Sequence, residues 1–188
     1  AFDNAFGILD YWHGITDELR DEGAEVYVTN LSSMALHEIR GEELLSSVEE
    51  IMAITGANKV NLIAHSQGAT AARYVAALRP EWIASVSCTH CMNEGTPFGQ
   101  GLNNTFEDGT FFKEAGVTLM NGLFNFIESS SAEPSDGEYN NAENGDQDAR
   151  ALLTAVSAED FDRFNALYPQ AMPAVDCSII NNGIDGHT

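Results

Sequence analysis

The sequence predicts an α/β fold, a mostly parallel sheet flanked by helices, and three observations support this prediction. Short apolar segments alternate with amphipathic helical segments through the first half of the chain. One of these segments, residues 60–64, is apolar except for Asn61, as expected for a strand buried on both faces. A helix rich in small residues begins directly after it. Strands that alternate with helices are joined by parallel crossovers, which indicates a layered domain.

The elements of the first half follow from apolar spacing and from glycine and proline. Apolar residues every three or four positions predict helices, and short apolar runs predict strands. Gly56 and Pro80 mark places where helices end. The predicted helices are residues 10–22, 37–56 and 67–78, and the predicted strands are residues 24–30, 60–64 and 82–87.

The second half is predicted to contain an apolar helix, a polar loop and another helix. Residues 111–127 carry an unusually heavy apolar load for one helix. Residues 129–148 are rich in Gly, Asn and acidic side chains, which is typical of a loop. Residues 149–168 are helical in pattern, with Ser157 placed as an N-cap and Asp160 at the third helical position.

The charge is strongly acidic, with 29 Asp and Glu against 8 Lys and Arg and a net charge of −21. Such a field repels phosphates and argues against nucleic acid as a partner. It is compatible with adaptation to salty water or with a protein that is simply acidic. No stretch approaches the ~18 consecutive apolar residues that a membrane-spanning helix needs.

The chemistry-bearing motif is Ala64-His65-Ser66-Gln67-Gly68, which lies between the predicted strand and the small-residue helix. It matches the nucleophile elbow G-x-S-x-G with Ala in place of the first Gly. The strained turn at the Ser requires small residues two positions before and after it. Ser66 is the predicted nucleophile, and the backbone N–H of Gln67 is the predicted oxyanion donor.

The motif and the histidines also allow other interpretations. The alternative for Ser66 is an ordinary serine in a strand-to-helix loop. His65 is adjacent to Ser66, but neighbouring side chains diverge at an elbow, so it is not expected to be the base. His13 and His37 are expected as surface side chains on early helices. His187 lies only two residues after Asp185 and is assigned no role.

Cys88 and Cys91 form a C-x-x-C pattern that is predicted to lie at the end of a strand. A redox pair or half of a metal site is one interpretation, and buried or half-buried thiols are the other. No second cysteine pair completes a zinc site. The acidic residues of 133–148 lack EF-hand spacing, so a solvated loop is expected there. No residue is assigned as a metal ligand.

The chain resembles the secreted bacterial triacylglycerol lipases of the Pseudomonas type, which have the α/β-hydrolase fold. The similarity runs along almost all of residues 1–188 and is weakest over 99–150. By length, the chain is expected to cover about two thirds of a family member. The matching segments are Phe2-Asp3-Asn4, Asp10-Tyr11-Trp12, Val26–Thr29, Arg40-Gly41-Glu42, Lys59–Ser66, Arg73–Ala77, Ile83-Ala84-Ser85, Arg163–Ala166 and Tyr168-Pro169-Gln170.

The resemblance implies that residues 1–188 are one partial domain. A sheet strand that supplies the second oxyanion N–H would lie before Ala1. The Asp and His of the triad, and the ligands of a structural calcium ion, would lie beyond Thr188. Cys177 matches a family cysteine whose disulfide partner would also lie there. Cys88 and Cys91 have no counterpart in the family.

The resemblance also implies a lid and its surroundings. Residues 107–148 would form the lid helix and a flexible loop, with Met120, Leu123 and Phe124 contacting substrate. An apolar helix of the core is the alternative for this segment. The expected substrates are acylglycerols at an oil–water interface, the expected location is extracellular, and a dedicated folding chaperone is an expected partner.

Two alternatives to a lipase remain open at this point. One is an esterase or thioesterase that acts on soluble substrates. The other is a non-catalytic fragment, because the triad base and the oxyanion strand would lie outside residues 1–188. Residues 1–188 alone are therefore expected to have no hydrolytic activity.

Overall fold

The computed structural model describes residues 12–96, 114–118, 121–122, 138–140, 149–169 and 172. The helices are α1 Ile15–Asp21, α2 His37–Thr55, α3 Gly68–Leu78, α4 Ala149–Ala155 and α5 Ala158–Leu167. The strands are β1 Val28–Asn30, β2 Val60–His65, β3 Ile83–Thr89 and β4 Glu138–Asn140. Residues 114–118 and 121–122 are helical, and Pro80–Trp82 forms one turn of 3-10 helix between α3 and β3.

The unit β2–α3–β3 consists of two parallel strands joined by a helix, since β2 and β3 pair in parallel. Their register aligns Ala64 with Cys88 and His65 with Thr89. Both strands therefore end at the same edge of the sheet, where ligands bind in open α/β sheets. The predicted parallel crossover and the predicted bounds of α2, β2 and α3 are confirmed to within one residue.

The core beside this unit is made by α2 and α3. Leu44 and Val48 of α2 pack with Leu62 of β2 and with Ala71 and Val75 of α3. Gly56 ends α2 with a φ of 70°, the left-handed conformation that favours glycine at a helix C-terminus. The prediction that Gly56 stops this helix is confirmed.

The prediction that β2 is buried on both faces is wrong for the described residues. Leu62 and Ala64 are buried, but Asn61 is exposed and the Ile63 side chain is 51% exposed. The helices α2 and α3 cover the face that carries Leu62 and Ala64. The apolar run therefore predicted the strand correctly, but it did not predict that one face of the strand is exposed.

The second half differs from its prediction in two places. Strand β4 pairs in parallel with β1, with Val28 opposite Glu138, where the sequence predicted a loop over 129–148. Parallel strands pair through backbone N–H and C=O groups. The polar sequence of residues 138–140 therefore did not indicate a strand. The helix predicted over 149–168 is divided into α4 and α5 at Ser157. The Ser157 hydroxyl accepts a hydrogen bond from the Asp160 N–H at 3.2 Å, which confirms the predicted cap.

The predicted surface position of His37 is also wrong, since its side chain is fully buried at the start of α2. Its ring packs against Phe161 and Phe164 of α5, with centroids 4.7 and 4.9 Å away. Its Nε2 lies 3.7 Å from the Asp160 carboxylate. The approach of α5 buries this histidine, and the local pattern of α2 contains no sign of it. His13 is exposed, as predicted, although it lies in the turn before α1.

The α2–α5 contact is completed by Arg163. Its guanidinium donates to both carboxylate oxygens of Glu38, at 2.6 and 3.1 Å. Its Nε donates to Asp160 at 2.7 Å. Asp160 is thus placed between the His37 ring and the Arg163 guanidinium. Burial lowers the pKa of His37 to about 4, and the neighbouring Asp160 only partly opposes this effect.

We expect the stability of the protein to fall with acidification because of His37. Its pKa is about 4 in the folded state and 6.5 when unfolded, so the unfolded chain binds more protons between these values. The contribution of His37 is complete above pH 6.5 and is lost as the pH falls toward 4. The loss between pH 7 and pH 5 should be about 2 kcal/mol.

Urea unfolding of the parent and of His37→Phe at both pH values measures this contribution. Phenylalanine keeps a ring among Phe161 and Phe164 but cannot bind a proton. The difference in free energy of unfolding between the two pH values should shrink by that amount in the variant. An unchanged difference would show that other groups cause the acid sensitivity.

Candidate active site

Ser66 lies at the turn between β2 and α3, at the carboxyl edge of the sheet. Its φ is 53°, a left-handed conformation that non-glycine residues rarely adopt. The strained backbone predicted for this serine is therefore confirmed. Such strain is kept only where surrounding contacts hold it, and it is common at active sites.

The backbone of Ser66 is held from both sides of the turn. Its N–H donates to the Thr89 carbonyl at 3.1 Å, and its carbonyl accepts from Ala69 at 3.2 Å and from Met92 at 3.5 Å. Thr89 ends β3, and Met92 follows it by three residues. The segment after β3 is thus part of the support of Ser66. Sequence reasoning did not identify these supports, because backbone groups act whatever side chain they carry.

The two small residues of the motif face each other across the turn. A Cβ placed on Gly68 would lie 3.8 Å from the Ala64 Cβ, which is an ordinary van der Waals distance. The collision expected from the motif is therefore not present for a single added carbon. The restriction is on the combined size of the two side chains, and Ala64 with Gly68 leaves room for one more methyl group.

Gln67 is the N-cap residue of α3, with a φ of −65°. Among the described residues its N–H has no hydrogen-bond acceptor, as is usual at the start of a helix. Its carbonyl accepts from the Thr70 hydroxyl at 2.9 Å, which holds the first turn of α3. An N–H beside Ser66 and at the positive end of a helix can stabilise an anion there.

Two histidines and two cysteines surround the edge where β2 and β3 end. The rings of His65 and His90 lie edge to face with centroids 5.9 Å apart. His90 also has a positive φ, 49°, and turns the chain back after β3. Cys88 is exposed and Cys91 is half-buried, and both are free thiols. The predicted position of this motif at the end of a strand is confirmed.

The chain after the cysteines is anchored on the α4–α5 region. The Thr96 N–H donates to the Val156 carbonyl at 3.1 Å, and the Asn165 amide donates to the Asn93 carbonyl at 2.7 Å. Gly95, with a φ of 76°, approaches the backbone of Ala158 so closely that an added Cβ would lie 2.9 Å from it. The turn 89–92 is therefore fixed at both of its ends.

The three predicted lid residues, Met120, Leu123 and Phe124, lie outside the described residues. In the nearest described part, the helical residues 114–118, Val117 is buried and packs with Met34 and Ala149. His187 and Cys177 also lie outside the described residues. Across the described ranges, no helix is long and apolar enough to cross a membrane.

We expect Ser66→Gly to be more stable than Ser66→Ala. Glycine adopts a positive φ without the left-handed penalty of about 1–2 kcal/mol, while it loses about 0.4–1 kcal/mol through the greater freedom of the unfolded chain. The net gain should be up to about 1.6 kcal/mol by chemical denaturation. Ser87, in β3 and without a positive φ, is the matched control. Ser87→Gly should be less stable than Ser87→Ala, and the same order at both positions would contradict strain at Ser66.

The fold and this strand–turn–helix site define an α/β hydrolase. A family model for the alpha/beta hydrolase fold matches residues 5–172, and the chain belongs to this family. The predicted fold class is thereby confirmed.

Among curated proteins the chain is similar to bacterial triacylglycerol lipases. It is 37% identical to one from Vibrio cholerae over 94% of the chain and 54% of that protein. It is 35% identical to one from Burkholderia plantarii, over 90% of the chain and 45% of that protein. It is also 35% identical to one from Pseudomonas fragi, over 89% of the chain and 54% of that protein. The resemblance noted in the sequence is confirmed.

The length comparison corrects one expectation. The chain spans about half the length of the curated relatives it matches, where about two thirds was expected. No group of three or more His, Cys, Asp and Glu side chains in the described ranges could hold a metal ion. The calcium ligands that the resemblance implies would lie beyond Thr188, so this calcium ion stays a prediction.

Proposed function

We propose that this chain supplies the nucleophile of a secreted lipase, a hydrolase of carboxylic esters in acylglycerols, and that Ser66 is that nucleophile. The observation that carries the proposal is the left-handed Ser66 between β2 and α3, with the N–H of Gln67 beside it. Similarity to triacylglycerol lipases over about nine tenths of the chain supports the substrate class.

In the proposed reaction the Ser66 hydroxyl oxygen forms a bond to the ester carbonyl carbon, and a base accepts the serine proton. The carbonyl electron pair moves to oxygen, and the Gln67 N–H donates to the oxyanion. The carbon–oxygen bond of the leaving alcohol then breaks as the base returns the proton to that alcohol. Water hydrolyses the acyl-serine by the same steps.

The triad base and acid are proposed to come from outside residues 1–188, as the resemblance implies. His37 is excluded as a base because its ring is buried against Asp160, Phe161 and Phe164. His65, the last residue of β2, is also not proposed as the base. Its ring packs edge to face against His90, which follows β3. Calcium takes no part in the proposed steps. A dedicated chaperone stays a prediction from the resemblance.

The test of the proposal is an active-site label on the full-length protein. A fluorophosphonate should attach to the peptide that contains Ser66, and the protein should release fatty acid from tributyrin. The Ser87→Ala variant, which changes an exposed serine of neighbouring β3, should label normally. Labelling on a different serine, or persistent labelling of a Ser66→Ala variant, would overturn the assignment.

A lid over residues 111–127 is proposed as the feature that distinguishes a lipase from an esterase. We expect the rate of the full-length protein to rise abruptly when tributyrin exceeds its solubility limit. Apolar burial is worth ~25 cal/mol per Å², so a few side chains that enter an oil surface can offset a preference for a closed form. Replacing Leu123 and Phe124 together by serine should remove the jump. Smooth saturation in both proteins would indicate an esterase for soluble substrates.

A further inference from the structure

Cys88 and Cys91 are two free thiols near Ser66 that the proposed reaction does not use. Cys88 is aligned with Ala64 across the β2–β3 pairing, and Cys91 follows the left-handed turn at His90. This turn brings Cys91 back over the strand ends, where its thiol lies 3.7 Å from the Thr89 carbonyl and 4.0 Å from the Ala64 carbonyl. The Cys88 side chain is close enough to contribute to the raised pKa of the Cys91 thiol.

We propose that Cys88 and Cys91 are a thiol–disulfide pair, which small-molecule disulfides close, and that its closure restrains the backbone at Ser66. The structural link is short. Thr89, between the cysteines, accepts from the Ser66 N–H, and Met92, directly after them, donates to the Ser66 carbonyl. The anchoring of residues 93–96 on Val156 and Asn165 limits movement on the far side.

The two thiols differ in a way that gives them an order of reaction. Cys88 is exposed, so its sulfur is accessible to a disulfide in solution. Burial raises the pKa of the Cys91 thiol to about 12, and the contact with Cys88 adds to this effect. Cys88 is therefore the first thiol to react.

The reaction with oxidised glutathione proceeds in two balanced exchanges. The Cys88 thiolate attacks one sulfur of glutathione disulfide, forms a mixed disulfide and releases one glutathione thiolate. In the mixed disulfide Cys88 is no longer a thiol, so its contribution to the raised pKa of Cys91 is removed. Cys91 loses its proton and attacks the Cys88 sulfur, and the second glutathione leaves. The two cysteines are oxidised and glutathione disulfide is reduced to two thiols.

The disulfide itself is tested on the full-length protein, by mass analysis of the peptide that contains Cys88 and Cys91. When the reduced protein is denatured before alkylation, iodoacetamide should modify both Cys88 and Cys91. After incubation with oxidised glutathione, neither cysteine should react, and the peptide that contains both should have lost two hydrogens. Cys88→Ser and Cys91→Ser should each abolish this product. A stable glutathione adduct at Cys88, or a disulfide between two molecules, would overturn the proposal.

The effect on Ser66 is tested by hydrogen exchange in the same protein. Closing a loop of four residues reduces the freedom of the opened segment, so exchange of the Ser66 N–H should slow by roughly tenfold in the disulfide form. A peptide from α2 should exchange equally in both forms. Equal exchange at Ser66 would overturn the link between the pair and the serine.

Any effect of the disulfide on the reactivity of Ser66 as a nucleophile rests on the proposed function. The formation of the disulfide and its effect on hydrogen exchange do not depend on that function. Fluorophosphonate labelling of Ser66 in both redox forms separates the two ideas. A protein that forms the disulfide and slows exchange, but labels in neither form, would contradict the ester hydrolase and leave the redox pair established. Labelling of Ser66 without disulfide formation would support the ester hydrolase and contradict the redox pair.

Discussion

Replacing Ser66 by alanine is expected to abolish ester hydrolysis by the full-length protein, with a loss in kcat on the order of 10⁵–10⁶. No other group in the proposed reaction forms the bond to the acyl carbon. What remains in the variant is the contribution of the oxyanion donor and of substrate binding, as for other serine hydrolases. The rate with p-nitrophenyl butyrate, followed by absorbance, measures the loss.

The fold of the Ser66→Ala variant should be unchanged, so the lost activity cannot be attributed to unfolding. The hydrogen bonds of Ser66 to Thr89, Ala69 and Met92 use backbone atoms that alanine retains. Circular dichroism and thermal unfolding should match the parent to within a few degrees. Ser87→Ala is the matched control and should keep full activity. Activity that survives in Ser66→Ala would assign the reaction to another residue.

The parts of the fold that could be predicted are those determined by local sequence. Helix α2 ends at Gly56 because only a left-handed residue completes that turn, and α5 begins at Ser157 because its hydroxyl accepts from Asp160. The elbow at Ser66 is local in the same sense. A mostly apolar strand, small flanking residues and a helix start within nine positions are enough to predict its strained backbone.

What could not be predicted depends on contacts between distant segments. The burial of His37 requires α5, which lies more than a hundred residues further along the chain. Strand β4 pairs with β1 across a similar separation. Neither segment contains a local signal of its partner. The Asp160 carboxylate and the backbone groups of β4 can form hydrogen bonds with water as well as with other parts of the protein. The support that Thr89 and Met92 give to Ser66 belongs to the same group.

The contact between α2 and α3 gives the largest expected effect on stability. A Cβ added at Gly41 would lie 2.4 Å from the Cγ and Cδ1 atoms of Tyr74 and 2.8 Å from its Cβ. Because the Tyr74 Cβ cannot rotate away, Gly41→Ala must push the two helices apart. Tyr74 would also lose its hydrogen bond to Glu42 and its ring contact with Tyr168, which has a centroid distance of 5.0 Å.

We therefore expect Gly41→Ala to lower the free energy of unfolding by about 3 kcal/mol, since overpacking exceeds the gain in helix propensity. For a chain of this size the loss corresponds to a fall in Tm of roughly 6–12 °C. Gly116→Ala is the matched control, because Gly116 is also helical but has no atom within 4 Å of an added Cβ. That variant should gain up to about 1 kcal/mol.

A double-mutant cycle with Tyr74→Ala assigns the loss to this contact. Alanine at position 74 removes the two closest atoms and leaves only the contact at 2.8 Å. Adding Gly41→Ala to Tyr74→Ala should therefore cost about 1–2 kcal/mol less than adding it to the parent. Additive losses would mean that Gly41 is required for a reason other than the approach of Tyr74. A stable Gly41→Ala protein would show that α2 and α3 can separate at little cost.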